Sequence, residues 1–305
     1  MSSRPARNFP LNPRRIAVIA GHTFTQLVRM KIFYFLAVFA VIILGSNLFN
    51  IQDIGRPDLE GMDVLRMIRS TSLGVMTLFS VVIGVVATAL LLPKDVEDRT
   101  LYTILAKPVP RLDYLLGKLA GVLLLIFISL LVMDLLMTGV LALRTNMVLE
   151  EQMARAARLS QADRDALAEA IRAQGPTWSL HGATMAVFLR AAVISSTALL
   201  LSTISTSTLF TTITSFVVYF IGNFQGDARD LYLMGGDQGI SPGARLAALV
   251  VAAIFPDFQQ FNVVDTVIEG KVLLAADLGA LGAIALFYVV LHSFVSWLVF
   301  AGKEF

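Results

Sequence analysis

Two ionisable residues, Asp134 and Arg190, stand inside long apolar runs of this 305-residue chain. A charge in such a run is costly in a low-dielectric setting and needs a partner or a function. Counting along each run places Asp134 roughly 13 Å and Arg190 roughly 10 Å from the same end of two adjacent antiparallel helices. Those matched depths predict an Asp134–Arg190 ion pair, which relieves the cost of each lone charge. The pair would either line a polar route or glue two helices together, and the sequence leaves both readings open. Other chemistry is sparse. His22, His181 and His292 are far apart, without metal-ligand spacing and without a His-Glu-x-x-His motif. There is no Gly-x-Ser-x-Gly elbow. The absence of cysteine removes thiol nucleophiles, disulfides and cysteine metal sites. The stretch "GKLAG" at Gly117–Gly121 has a Gly-Lys pair but no upstream glycine loop and no following Ser or Thr, so it does not read as a phosphate loop. Nothing here composes an active site, and no cofactor is expected on this chain.

The elements that position these residues follow from composition. Hydrophobic residues make up 56% and charged residues only 15%, against about 25% charged in an ordinary soluble domain. The mean hydropathy is +0.76. So few charges cannot cover a water-soluble surface, and burial in lipid resolves the deficit. The fold class expected is an all-α polytopic membrane protein with six transmembrane helices, about Ile32–Phe49, Leu73–Leu92, Leu119–Leu143, Met185–Thr203, Thr206–Ile221 and Ala275–Phe300. Each run approaches the length that crosses about 30 Å of hydrocarbon. The fourth and fifth are divided at "STISTST", whose hydroxyls can bond backbone or a neighbouring helix. The first long apolar run starts too late for a cleavable signal sequence and reads as a retained span. Pro13–Met30 predicts an amphipathic interfacial helix, with Pro13 in its first turn. Arg245–Asn262 has an apolar stretch of only about a dozen residues, which suits an interfacial or re-entrant element better than a crossing.

Between spans 3 and 4 lies a polar insert, with a helical part at about 146–175. Its Ala, Glu, Gln and Arg favour helix, predicting two short helices with a break near Leu159. Ser160 and Asp163 form a capping-box-like start, and Gly175-Pro176 form a stop. Without tandem repeats or low-complexity linkers, residues 1–305 read as a single transmembrane domain. Arg4, Arg7, Arg14, Arg15, Arg29 and Lys31 concentrate positive charge ahead of the first span, with no acid among them. That places the N-terminus in the cytoplasm. Six spans return the C-terminus to the same side and put the insert outside. The formal net charge of +2 gives no field for nucleic acid.

The most informative segment is "LLPKDVEDRTLYTILAKPVPRLDYLLGKLAGV", Leu91–Val122, which leaves one span and enters the next. It mixes signs, carries apolar positions suited to helical packing, and turns rigidly at Pro108 and Pro110. On its residues alone it is either a solvated loop or a short helix that transmits force. It resembles the segment after the second span of ABC-2 type transporter permeases, the membrane subunits of ATP-driven transporters. The matching positions are Glu97, Thr100, Ile104-Leu105, Lys107-Pro108, Arg111 and Leu115–Lys118. Arg99 stands where the family often has Gly before the Thr. Weaker similarities follow in family order: the N-terminal helix resembles the elbow helix, Leu199–Leu209 the Ser/Thr-rich connection, Phe255–Asn262 the outer segment before the last span, and "FAGKEF" the exit of that span.

That resemblance implies a permease subunit, with export favoured over import by family analogy. It implies cytoplasmic coupling helices at Glu97, Arg99, Thr100, Leu101, Leu105, Lys107, Pro108 and Arg111. It also implies a separate nucleotide-binding ATPase subunit that holds ATP and Mg, a second copy (a homodimer) or a similar permease, and residence in the plasma (inner) membrane among its lipids. The alternative is a non-transporting membrane subunit that relays ATPase motion to an outer accessory protein, which the outer insert motivates. Single cysteines at Ser3, Asp58, Gln161, Asp237 and Lys303 check the topology with an impermeant thiol reagent in intact cells. Labelling is expected at the three middle sites only, and protection at Gln161 rejects the arrangement.

Overall fold

The computed structural model describes residues 11–47, 61–97, 109–205, 207–233, 243 and 255–302. The described chain is a bundle of helices: α1 (Pro13–Val28), α2 (Lys31–Ser46), α3 (Met62–Glu97), α4 (Arg111–Arg155), α5 (Gln161–Ala173), α6 (Trp178–Ile204), α7 (Thr208–Leu233), α8 (Val264–Ile268) and α9 (Ala275–Ala301). Short 3₁₀ turns occupy Ala156–Arg158 and Gln259–Phe261. Among the described residues, four stretches are long and apolar enough to cross a membrane: Met62–Leu91, Arg111–Arg158, Gln161–Ile204 and Ala275–Ala301. A fifth candidate is the pair Pro13–Val28 and Phe33–Ser46, bent by 69° at the break between them. The chain is therefore a multi-pass helical membrane protein.

Helix α6 is the hub. It packs against α3, α4, α7 and α9. Its sequence explains this place, because small residues and hydroxyls run along its length. Ser195, Ser196 and Thr197 are buried and return their hydroxyls to the α6 backbone at Ala191 and Val193, so their polarity costs little in an apolar interior. Where α3 crosses it, a Cβ on Gly84 would stand 2.6 Å from the Ser195 Oγ. Hydroxyls also make the break between α6 and α7: Ser205 is extended, and the Ser207 Oγ accepts the Phe210 amide.

Close approach between helices rests on paired glycines. Helix α1 runs parallel to the start of α4, in the register Arg15 to Asp113, Ile19 to Gly117 and Thr23 to Gly121. A Cβ on Gly117 would lie 2.7 Å from the Ile19 Cβ, and one on Gly121 would lie 2.6 Å from the Thr23 Cβ. "GKLAG" is thus a Gly-x-x-x-Gly packing face. A second such pair, Gly222 and Gly226 on α7, receives the segment around Pro256, Phe258 and Gln259. The Phe258 amide donates to the Gly222 carbonyl at 3.0 Å, and Phe258 and Phe261 are buried. Residues 255–263 therefore fold back onto the bundle; residues 245–254 lie outside the described residues.

The insert differs from expectation in one respect. Its first half is the continuation of α4 to Arg155 rather than a separate helix. At 1.5 Å per residue α4 is about 67 Å long, more than twice the hydrocarbon thickness. The Thr145 hydroxyl returns to the Leu141 carbonyl, and with no Gly or Pro between Leu143 and Arg155 the helix formers that follow carry α4 on. The 3₁₀ turn then reverses the chain. Helix α5 starts as expected, with the Ser160 Oγ accepting the Asp163 amide and donating to its carboxylate.

Arg69 fixes this insert to the bundle. It is 1% exposed. Its guanidinium donates to the carbonyls of Ala173 (3.2 Å), Gly175 (2.6 Å) and Val267 (3.3 Å) and to the Gln174 side chain (3.2 Å). Those carbonyls end α5 and α8, where intrahelical donors run out and the helix dipole favours a cation. Arg69→Met removes every one of these donors while keeping most of the stem. It is expected to cost about 2–4 kcal/mol and to speed amide exchange across residues 161–176. Hydrogen-exchange mass spectrometry in detergent checks both, and unchanged protection of that segment would refute the assignment.

Candidate functional site

The ends of the bundle differ. One, here the loop end, carries the close of α3, the start of α4 and the close of α9. The other, the insert end, carries α5 and the start of α6.

At the loop end a buried polar knot joins the two sides of residues 98–108. Asp95, in the last turn of α3, accepts from Lys118 Nζ at 2.6 Å and from the Tyr114 hydroxyl at 2.5 Å, both from the first two turns of α4. All three side chains are buried. The Lys118 Nζ also lies 5.6 Å from the centroid of the Tyr114 ring, and that ring stacks on Phe300 of α9 at 6.1 Å. Arg111 completes the junction. Its guanidinium donates to the carbonyls of Phe300 and Ala301 at 2.5 and 2.8 Å and sits 5.6 Å from the Phe300 centroid. The final turn of α9 is thereby capped by the first residue of α4. On the neighbouring flank, Arg15 of α1 pairs with buried Asp113 at 3.5 Å. Three helices and α1 thus converge where α3 is left and α4 is entered.

Of the residues implicated in coupling, Arg111 is placed by this junction. Glu97 is the last residue of α3, and its side chain is outside the description. Arg99, Thr100, Leu101, Leu105, Lys107 and Pro108 lie outside the described residues. Lys118 ends the matched run Leu115–Lys118, but nothing in the sequence pairs it with Asp95 and Tyr114 in a knot. The available signal was an acid one turn before the segment and a lysine two turns into the helix that follows it.

At the insert end, α4 and α6 splay to form a cleft of about 320 Å³. Asp134 stands in its wall. Its Oδ2 meets the His181 Nδ1 at 2.6 Å, and its Oδ1 accepts the Thr184 hydroxyl at 2.7 Å. Trp178 stacks edgewise on His181 at 5.6 Å, and Phe127 meets Phe188 edgewise at 5.4 Å further along. The remaining lining is aliphatic or thioether: Leu130, Leu131 and Met185.

The expected Asp134–Arg190 pair does not form. Arg190 lies on α6 six residues beyond Thr184, about 9 Å deeper. It turns instead to α7, donating to the Asn223 side-chain oxygen and lying 5.1 Å from the Tyr219 centroid. A depth counted from the ends of the apolar runs misplaces both residues, because both helices continue past those ends. Antiparallel register therefore sets Asp134 against His181 and Thr184. His292, on α9, meets the Ser196 and Thr197 hydroxyls at 2.9 and 3.3 Å, which places it in the α6–α9 packing.

Comparison with known families gives one finding. Residues 24–157 match the model of the ABC-2 family transporter proteins. The match runs from the second half of α1 through α4, somewhat under half of the chain, and contains the whole knot. No curated protein matches the chain.

The knot is testable as a unit. Lys118→Met removes the ammonium from the buried Asp95 carboxylate and is expected to cost about 3–5 kcal/mol. The double variant Asp95→Asn, Lys118→Met is expected to lose less than Lys118→Met alone. Thermal unfolding of the purified variants reads the cycle; additive losses would show that the two side chains act independently.

Proposed function

We propose that this chain is a permease subunit of an ABC transporter, an exporter by family analogy, driven by a separate ATPase subunit that supplies the ATP and Mg site. The observation that carries the reading is the buried Asp95–Lys118–Tyr114 knot, within the family-matched region and at the root of residues 98–108. A force-bearing segment needs ends that do not give. Here an ion pair and a hydrogen bond in an apolar surround join those ends directly, and Arg111 ties them to α9.

On this reading the chain is one permease domain with six spans: α2, α3, α4, α6, α7 and α9. Helices α2 and α7 support that count by their exposed apolar residues, such as Phe35 and Ile42 on α2 and Ile213 and Phe220 on α7, which lipid would cover. Helix α1 is the elbow, held to α4 by Gly117 and Gly121. The loop end faces the cytoplasm of the plasma membrane, consistent with the basic N-terminal segment. A second copy or a similar permease completes the membrane part. Glu97 and Arg99 dock the ATPase, Leu101 and Leu105 are apolar anchors, and Thr100, Lys107 and Pro108 shape the segment between them.

A second reading, relay of ATPase motion to an outer protein without transport, is favoured by one observation. Helix α4 is unbroken from the loop end to the tip of the insert, and Arg69 locks the insert to α3.

Reconstitution with the cognate ATPase in lipid discs tests the common part of both readings. The double variant Glu97→Lys, Arg99→Glu is expected to weaken complex formation or uncouple ATP hydrolysis while the helices remain inserted. Normal assembly and a normal hydrolysis rate would reject the docking assignment.

A further inference from the structure

The cleft between α4 and α6 has a polarity gradient along its length. Trp178 opens it, 89% exposed, at the first residue of α6. His181 and Thr184 lie about 5 and 9 Å further along the helix, and Phe188 about 15 Å. Polar groups thus occupy the part near the insert end. The Phe127–Phe188 pair lies toward the middle of the bundle. Flanking side chains on the open side, Leu131 and Met185, are nearly half exposed, so the cleft opens sideways toward lipid.

The electrostatics of the polar part are one-sided. Asp134 is buried, and among the described residues no Lys or Arg reaches it; Arg190 is committed to α7. The Asp134 carboxylate is the acidic group of this lining, with His181 and Thr184 as its hydrogen-bond partners. An anionic head group, such as a phosphate or sulfate, meets that carboxylate and finds no guanidinium or ammonium there among the described residues. A cation is attracted to Asp134 and to the π faces of Trp178 and the neighbouring rings. An amphiphile resting in one leaflet has its head near the surface and its apolar body toward the midplane, matching the order of the lining residues.

We propose that this cleft binds a monocationic amphiphile, an ammonium head on an apolar body, which enters from the bilayer. Its ammonium sits at Asp134 and His181 and its body lies against Phe127 and Phe188. This names a ligand class for the permease proposed above and rests on that reading only for its transport meaning. Binding itself requires no ATPase, so the two proposals fail separately.

The test uses the full-length chain in phosphatidylcholine discs without any ATPase. The chain has two tryptophans, so Trp297→Phe leaves Trp178 as the only indole. Its fluorescence is titrated with a bromoalkyl primary amine, whose bromine quenches indole. The alcohol and sulfonate of the same chain length are the comparators. Saturable quenching by the amine is expected, with only the weak non-saturating quenching of lipid partition for the other two. Asp134→Asn is expected to raise the half-saturating amine concentration by about tenfold or more. Leu131→Trp would add an indole, so Leu131→Phe serves as the steric variant. It narrows the open side of the cleft without touching the polar pair and is expected to raise the half-saturating amine concentration. It also decides the matter if Asp134→Asn does not fold. Equal quenching by all three probes, saturation by the sulfonate instead, or amine binding indifferent to both substitutions overturns the proposal.

Discussion

A helix that ends within or beside a bilayer leaves carbonyls that water cannot readily satisfy, and arginine answers that need at three places in this protein. Arg69 takes the closing carbonyls of α5 and α8. Arg144 donates from its Nε to the Asn47 carbonyl at the end of α2. Arg111 takes those of Phe300 and Ala301 at the end of α9. The guanidinium suits the role because its donors form a planar fork and its charge meets the negative end of the helix dipole. Each contact joins elements far apart in sequence, so helix termination and tertiary assembly are the same event. An apolar replacement would leave those carbonyls without their donor, a loss of about 2–4 kcal/mol for each arginine.

Glycine pairs complete what the arginines begin. Between apolar helices in lipid there is little hydrophobic gain, so association depends on backbones coming close enough for dispersion and polar contacts. Gly117 and Gly121 let α1 lie along α4 at a distance where any side chain would collide with Ile19 or Thr23. Gly222 and Gly226 do the same for residues 255–263, which contribute the Phe258 amide to the Gly222 carbonyl. The first pair brings Arg15 to Asp113 and so belongs to the same junction as Asp95 and Lys118.

Much of this was legible in the sequence. Apolar runs located the four stretches that are long and apolar enough to cross a membrane and the bent fifth candidate, the hydroxyl cluster near Ser205 marked a break between helices, and Ser160 with Asp163 marked a helix start. Helix extents were not legible, because hydropathy reports where a helix meets lipid rather than where it ends. That is why α4 runs on through Arg144 to Arg155, and why a count from the apolar boundary paired Asp134 with Arg190 instead of His181 and Thr184. Arg69, Arg144 and Lys118 read as loop charges for the same reason, since they flank apolar runs. "GKLAG" invited a test against phosphate loops, whereas its two glycines serve packing, a role that depends on what lies opposite. The knot was not legible because Asp95 and Lys118 stand on two different helices, and no local pattern specifies which faces of α3 and α4 meet.

The two polar sites share one rigid element. Lys118 and Asp134 are sixteen positions apart on α4, about 24 Å along an unbroken helix. Each faces a different neighbour. At the loop end α4 is joined to α3 by Asp95 and to α9 by Arg111, whereas at the insert end it touches α6 through the Asp134 carboxylate on His181 and Thr184. A helix transmits rotation and translation along its axis with little loss, whereas packed side chains slip between discrete arrangements. On the proposed reading, a displacement imposed on residues 98–108 first moves α3 and α4 together, because the buried ion pair resists their separation. The relative motion then appears at the α4–α6 contact, which is held by hydrogen bonds at the edge of an open cleft. Asp95 thus joins α3 to α4 beside the segment proposed to receive force, and Asp134 joins α4 to α6 beside the site proposed to hold ligand.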